Sequence, residues 1–510
     1  MCGLFVVKGK IANTNQVIKM LENIKYRGPD NTSVFSDKDV VVGHNRLKIL
    51  DLSDDSNQPM HSKCGRYIIA YNGEIYNFKE LIKKFDLIVT SNSDTEVLLE
   101  LYAKVGKEML NELNGMFAFV IYDLNHNDFF VARDRLGVKP LYTWSDGNSM
   151  IFSSEVSSIV DYANLSKIDE VGIRQYRKLR SFFNGHTLYE GVKMFPPGSY
   201  FTNGVYFKYW ESIFENKEPP EDAELLDLIY DAVKLRLVSD VPIGSFLSGG
   251  LDSSIISKIS SVDNTWSVGF EEANEFSYAE IASNDVGSCH KNILIDYEEF
   301  VSLAREMIRS RKEPLSVPNE VLIYKMSKQA SKLNTVLLSG EGADELFAGY
   351  DRIFSSFSKD QFFDIKKFDS MYSYGSHDDL EIIDYVLEPH KNLSSPYLTI
   401  SSFFQLSHLH GLLRRLDFAS MFASIEARTP FLDFRLVEMM SGVSFSFKNA
   451  NNVNKAPLKR IAREIVDDRI INREKIGFYV PVNDIFGANN KEIGYDAWLD
   501  FNLKEILTTN

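Results

Sequence analysis

The chain has 510 residues, 44% of them hydrophobic and 25% charged, and a formal net charge of −15. That length exceeds what one hydrophobic core usually supports, so two or three domains of ordinary soluble composition are expected. The acidic balance argues against a general nucleic-acid binder, which needs surplus Lys and Arg, without excluding a local basic pocket for a nucleotide. Cys2, Cys64 and Cys289 show no CxxC spacing, which fits neither a disulfide framework nor a zinc site. With no apolar run of membrane length and no charged-then-apolar leader, a cytoplasmic protein without a membrane partner is expected.

The chain opens on Met1-Cys2-Gly3. If the initiator methionine is trimmed, Cys2 carries a thiol and a free α-amine, titrating near pH ~8.5 and ~8 respectively. The amine can then help take the thiol proton, as in nucleophiles whose base is their own N-terminus. The plainer alternative is a small buried cysteine. Short apolar runs follow at Gly3 to Val7, Val40 to Val42, Tyr67 to Tyr71, Met116 to Tyr122 and Asp128 to Ala132, separated by Gly, Asn and Asp; they read as strands. Val17, Met20, Leu21 and Ile24 form one helical face, ended by Gly28-Pro29, and Thr95 to Tyr102 opens another with Asp94 as its N-cap. Strands first with helices packed outside suggest a layered α/β sandwich.

A polar stretch from Glu211 to Glu221, ending in Pro219-Pro220, reads as a linker. Beyond it, Leu226, Ile229, Val233 and Leu237 fall at helical spacing, then strands and helices alternate, which implies a parallel sheet covered on both faces. From about Asp360 onward the pattern is almost wholly helical. The strongest local motif is Phe246-Leu247-Ser248-Gly249-Gly250-Leu251-Asp252-Ser253-Ser254. A strand ends in two glycines at a helix N-terminus, so backbone N–H groups and the hydroxyls of Ser248, Ser253 and Ser254 can surround a polyphosphate. It lacks the Gly-Lys-Ser/Thr of a Walker loop, and a bare tight turn is the alternative. Ser339-Gly340-Glu341-Gly342-Ala343-Asp344-Glu345 follows another apolar run. Its carboxylates could hold Mg²⁺ or act as a base, or could simply enrich a helix N-terminus in acid.

With these motifs in order from Cys2 to about Pro481, the chain resembles the glutamine-hydrolysing asparagine synthetases. The resemblance implies an α/β protein: an N-terminal-nucleophile αββα sandwich over residues 2–205, a linker over 206–224, and a parallel-sheet ATP-pyrophosphatase domain with a helical C-terminal region over 225–510. It implies that Cys2 attacks the glutamine amide, that Arg46 and Asp94 grip the α-carboxylate and α-amine, that Asn72 and Gly73 stabilise the oxyanion, and that Glu74 helps bind glutamine. It implies ATP contacts at Leu247, Ser248, Gly249, Gly250, Asp252, Ser253, Val268, Ser339 and Gly340, Mg²⁺ at Asp252 and Asp344, Lys455 at the leaving pyrophosphate, and Glu341 as the base for ammonia.

Four further blocks match. Arg27 to Asp30 also fits, Ala132 to Tyr142 reads mainly as structural and domain-contacting, and Met421 to Asp433 and Arg473 to Phe478 receive no specific chemistry. The implied reaction amidates aspartate to asparagine with ammonia from glutamine, through an acyl-adenylate, and many relatives are dimers. Glu313 to Glu320, where relatives shape the acceptor pocket, departs from the pattern of aspartate users, so the same chemistry on another carboxylate, such as a sugar acid, is the alternative. A ring-closing relative such as a β-lactam synthetase would lack the cysteine, and Cys2, Arg46, Asn72 and Asp94 together argue against it.

Overall fold

The structure is a computed structural model that describes residues 2–474, 477–487 and 491–508. Its N-terminal half carries β1 (Gly3–Gly9), β2 (Asn31–Asp37), β3 (Val40–Arg46), β4 (Met60–His61), β5 (Tyr67–Ile75) and β6 (Gly115–Asp123). Then come β7 (Asp128–Arg133), β8 (Tyr142–Ser145), β9 (Ser149–Ser153), β10 (Lys193–Met194), β11 (Ser199–Thr202) and β12 (Val205–Lys208). They form two antiparallel six-stranded sheets, ordered β10-β8-β9-β1-β3-β2 and β12-β11-β7-β6-β5-β4.

The alternation of side chains along β1 explains the layering. Leu4 and Val6 pack between the sheets with Val42, Ala70, Ala118 and Val120. Phe5 and Val7 face the other way, onto Val17, Met20 and Leu21 of the helix Thr14–Asn23. On the second sheet Ile69, Tyr71, Phe117 and Phe119 face Val97, Leu98 and Leu101 of the helix Asp94–Val105. Strand residues of period two, covered on both sides, therefore give four layers, α/β/β/α. The helix Asp94–Val105 is capped by Ser93, whose side chain accepts from Thr95 N–H. Asp94 was the expected cap; its carboxylate is engaged elsewhere, as described below.

The hairpin of β12 with β11 extends the second sheet through Lys208, into the stretch read as linker, and the helix Asp222–Leu235 begins the C-terminal half. There β13 (Ile243–Phe246), β14 (Asn264–Gly269), β15 (Cys289–Leu294), β16 (Val336–Leu338) and β17 (Glu426–Arg428) form an all-parallel sheet ordered β15-β14-β13-β16-β17. The chain runs outward in one direction from β13 and in the other from β16. Their junction is thus the switch point at which open α/β sheets bind ligands beyond the carboxyl ends of the strands. The last strand, β17, lies in the region expected to be helical. Three residues are too short to show periodicity, and only its register with β16, Val336 opposite Glu426, reveals it.

The two halves share apolar packing. Tyr142, Tyr176 and Tyr189 belong to one cluster with Trp266, Leu303 and Phe418, and Tyr76, Met116 and Leu136 to another with Leu432 and Leu436. No described helix is long and apolar enough to cross a membrane.

Candidate active sites

The first site forms where β1, β3 and β5 meet the start of the helix Asp94–Val105. Cys2 is buried, its backbone N–H donating to Asn72 Oδ1 at 3.0 Å. Around it Arg46, Gly73, Glu74 and Asp94 line a cavity of about 20 Å³. The sequence-predicted thiol-site residues are therefore brought together. A Cβ on Gly73 would meet Met116 O at 2.1 Å, so only glycine lets β5 and β6 approach this closely. Arg46 donates to Ser53 O at 2.6 Å, Asn57 Oδ1 at 3.0 Å, Leu50 O at 3.2 Å and Asp51 O, tying its guanidinium to the loop over the site.

Burial pushes the Cys2 thiol up, while a hydrogen bond from the Leu47 backbone and the charge of Arg46 pull the other way. Burial raises Asp94 to about 6 against the pull of its bonds from Ile75 N–H at 2.9 Å and Tyr71 OH at 2.8 Å. Glu74 is pushed well up by burial and by the carboxylates of Asp94 and Glu426, with Arg428 opposing at 3.7 Å. Two buried polar atoms make no hydrogen bond: Asn72 Nδ2, a donor, and Glu74 Oε2, an acceptor that has only the 3.7 Å ion pair with Arg428. Leaving such groups unpaired costs about 1–3 kcal/mol each, and a ligand offering an acceptor to one and a donor to the other would satisfy both.

Behind Cys2, Arg27 is fully buried. It donates to Cys2 O at 3.1 Å and pairs with Glu155 at 2.6 Å and with Asp417, from the C-terminal half, at 2.9 Å. Lys139 lies 3.5 Å from the same Asp417. Arg135 stacks on Phe434 at 3.9 Å, and Arg133 donates to the carbonyls of Lys139, Phe195 and Gly137. The Ala132 to Tyr142 block thus does the structural and domain-contacting work read from it.

The second site sits at the switch point. Between β13 and the helix Leu251–Ser260, Gly249 has φ +70°, and a Cβ there would meet Tyr278 C at 2.3 Å. The Ser248 and Ser253 hydroxyls lie 3.2 Å apart at the mouth of the loop. Gly340 packs against it, since a Cβ would meet Ser253 N at 2.9 Å. A cavity of about 1270 Å³ is lined by Leu247, Ser248, Gly250, Asp252, Ser253 and Val268, and across from them by Ser339, Gly340, Glu341, Asp344 and Lys455. Gly249 lies behind this wall, its carbonyl accepting from Arg473 at 3.1 Å. Ser254, grouped in sequence with the hydroxyl donors, is buried off the cavity wall with its Oγ unpaired. As the fourth residue of its helix, it turns away from the loop.

Lys455 Nζ bridges Asp252 at 2.6 Å and Asp344 at 2.7 Å. The two carboxylates thus already converge on one cation, and Asp252 Oδ1 is buried with no hydrogen-bond partner. No group of three or more His, Cys, Asp or Glu suited to a metal occurs among the described residues. Two carboxylates plus phosphate oxygens and water is the donor set Mg²⁺ prefers, so these residues fit that ion. Glu341 accepts from Arg415 at 2.6 Å, and Arg415 also donates to Asn319 Oδ1 at 3.0 Å. Glu345, buried behind them, is raised to about 8 by burial and by the charges of Asp344 and Glu341, and accepts from Tyr350 OH at 2.7 Å. In the Glu313 to Glu320 stretch, Val317, Pro318 and Asn319 line the cavity, while Glu313 pairs with Arg414 and Glu320 with Arg311.

Arg428 joins the sites. Its guanidinium pairs with Glu426 at 2.5 Å and reaches Glu74 at 3.7 Å, while its carbonyl accepts from Ser339 N–H at 2.8 Å. Sequence reasoning gave no chemistry to Arg27, Arg415, Asp417, Glu426, Arg428 or Arg473. For Arg27, Glu426, Arg428 and Arg473 the available signal was their place in matched blocks; Arg415 and Asp417 fall in none. Of the Arg473 to Phe478 block, Lys475 and Ile476 lie outside the described residues.

Together the two sites join a buried thiol beside a small polar cavity to a glycine- and serine-rich loop that lines a large one. Residues 1–210 match the family described as glutamine amidotransferase domain, and residues 224–497 that described as asparagine synthase. The chain is 32% identical to glutamine-hydrolysing asparagine synthetase 1 of Bacillus subtilis, over 94% of this chain and 87% of that one. It is 29% identical to asparagine synthetase 3 of the same organism, over 93% and 86%. A solved glutamine phosphoribosylpyrophosphate amidotransferase from B. subtilis matches with 16% identity and a TM-score of 0.32, covering 57% of this chain and 65% of that one. The chain belongs to the glutamine-hydrolysing asparagine synthetase family.

Proposed function

We propose that this protein is a ligase that hydrolyses glutamine at the first site and uses the ammonia at the second to convert aspartate to asparagine at the expense of ATP. The observation that carries the reading is Arg428, one residue that touches Glu74 of the thiol site and the Ser339 loop of the nucleotide site. A generator and a consumer of ammonia that share a wall can pass it on without exposure to water, where most would be ammonium.

At the first site Arg46 and Asp94 hold the amino-acid end of glutamine, and the Cys2 thiol attacks the side-chain carbonyl. The oxyanion takes up the unpaired Asn72 Nδ2, with the Gly73 N–H as second donor. Ammonia leaves, and water releases glutamate from the thioester.

At the second site the loops from Leu247 to Ser253 and at Ser339-Gly340 hold ATP, and a carboxylate of aspartate displaces pyrophosphate to give the acyl-adenylate. Lys455 offsets the charge of the departing pyrophosphate. Asp252 and Asp344 would hold Mg²⁺, which when bound adds positive charge beside the phosphates. Glu341, oriented by Arg415, takes the proton from ammonia as it displaces AMP. The chemistry is that of an enzyme working in the cytoplasm, where ATP and glutamine are both at hand.

Incubation with [amide-¹⁵N]glutamine, ATP, Mg²⁺ and aspartate, followed by mass spectrometry, tests the reading. Labelled asparagine and AMP are expected, with Cys2→Ala retaining only ammonia-driven synthesis. Glutamate without labelled asparagine would remove aspartate as the acceptor.

A further inference from the structure

The cavity of the second site has a wall that the proposed chemistry does not use, and that wall contains an unusual cation. Arg180 follows the helix Glu170–Leu179 of the N-terminal half in a left-handed conformation, φ +61°, and lines the cavity. It is only 8% exposed. Of the five donors of its guanidinium, one bonds to protein, from Nη2 to Tyr372 O at 3.0 Å, and Nε is buried with no partner. The group stacks over Tyr374 at 4.0 Å and lies 5.6 Å from the Tyr372 ring. No carboxylate pairs with it among the described residues.

The contrast with its neighbours is sharp. From the same helix Arg174 pairs with Asp379 at 2.8 Å and Lys178 with Asp369 at 2.8 Å. Other buried guanidiniums have acids, as Arg27, Arg311, Arg414, Arg415 and Arg428 do, or spend their donors on several carbonyls, as Arg133 does. A buried charge held this way is costly unless a counter-ion arrives, and a planar fork facing a cavity is the group that best receives a carboxylate.

Arg180 is linked to the acids of the phosphate loop through side chains that also line the cavity. From Glu345, next to Asp344, a chain of contacts runs to Tyr350 OH at 2.7 Å, on to His408 Nε2 at 3.4 Å, and from His408 Nδ1 to Tyr372 OH at 2.7 Å. Arg180 is at the other end of that chain, donating to Tyr372 O, and makes no hydrogen bond or ion pair with the Ser248–Ser253 loop or Lys455 among the described residues. We propose that Arg180, supplied by the N-terminal domain, holds the second, non-reacting anionic group of a dicarboxylic acceptor, so that both domains recognise the acid to be amidated. This rests on the amidation reading above and names what the acceptor must carry. For aspartate the group held is the α-carboxylate.

Pyrophosphate–ATP exchange on the full-length protein reads carboxylate activation directly. β-Alanine, which is aspartate without its α-carboxylate, is the comparison acid. The wild-type protein is expected to prefer aspartate strongly. Arg180→Met should raise the KM for aspartate by roughly 10- to 100-fold, with the KM for ATP changing less than about twofold, and should narrow the preference over β-alanine. Arg180→Lys should fall between, because it keeps the charge and loses the fork. Glutamine hydrolysis in the same samples reports whether each variant has folded.

An unchanged aspartate KM in a folded Arg180→Met, or equal losses with both acids, overturns the proposal. If the wild type hydrolyses glutamine but activates neither acid, aspartate is wrong, and a panel of mono- and dicarboxylic acids decides for Arg180. Activation of acids with a single anionic group overturns it; activation confined to doubly anionic acids, weakened by Arg180→Met, supports it. A protein that activates no acid removes the amidation reading and this proposal with it.

Discussion

The two sites handle charge in opposite ways. Around Cys2 the cavity is about 20 Å³, room for one water, and its carboxylates Glu74 and Asp94 crowd together until burial raises both. In the second site the cavity is about 1270 Å³, and its acids at the phosphate loop already share Lys455, with Asp252 Oδ1 left unpaired. On the proposed function, a closed site for one small zwitterion keeps polar atoms unpaired until that molecule arrives, and an open site for a nucleotide and an acid keeps its carboxylates on a lysine until phosphates compete for it. The first stores recognition in unmet hydrogen bonds, the second in ion pairs that can be exchanged.

The contrast would break if the first site proved independent of the second. Arg428 belongs to the C-terminal sheet yet balances Glu74 and Glu426 in full burial. Arg428→Met is expected to cost about 3–5 kcal/mol by leaving buried carboxylates uncompensated, read by denaturant unfolding, and to depress glutamine hydrolysis as well. Loss of ATP-dependent activity alone, with stability intact, would divide the molecule into separate halves.

Lys455→Met sharpens the second half of the comparison. It should slow pyrophosphate–ATP exchange by roughly 10²–10³-fold, because Asp252 and Asp344 then face each other and the leaving group without a fixed cation. A smaller, pH-dependent effect belongs to Asp94. Its folded value near 6 is above the usual carboxylate range, so the charge that the proposed role at the glutamine amine requires is lost as pH falls through about 6. The KM for glutamine should rise on the acid side of that value, while Asp94→Asn should flatten the profile and raise KM throughout. The sign for stability is the reverse: a raised carboxyl favours folding most when protonated and loses that contribution as pH rises from about 4 to about 6. Smallest of all, Ser254→Ala should change ATP KM by less than about twofold and stability by under about 1 kcal/mol, since its Oγ is unpaired and off the cavity wall; Ser248→Ala, at the mouth of the loop, should change ATP KM more.

How much could be read from sequence follows the same division. Loop placement was legible: Ser248 to Ser253 and Ser339 to Asp344 follow apolar strand runs and come together on one cavity, and Cys2 lies beside Asn72 and Arg46. Strands such as β1 and β6 were legible because their apolar runs are bounded by turn residues. The N-cap at Ser93 was misplaced by one residue, since Ser93 and Asp94 are both good caps and only the bond from Tyr71 shows which one is otherwise employed. Strand β17 was missed because Glu-Ala-Arg carries no β signature; tertiary pairing alone makes it a strand. Long-range charge pairs, Arg27 with Asp417 and Arg428 with Glu74, join residues hundreds of positions apart, and no spacing rule reaches that far.

The apolar clusters shared by the two halves have a consequence for how the protein can move. Interfaces between domains are usually polar and let the domains swing, but Tyr76, Met116 and Leu136 pack with Leu432 and Leu436 as a core would. The two proposed sites are therefore packed on a common frame, which opposes hinging between them. Timing must come from local events, such as release of the Arg46 loop or the exchange of a lysine between carboxylate and phosphate. Heating should likewise take both activities away in a single step, because neither half has an outer surface of its own on the side where they meet.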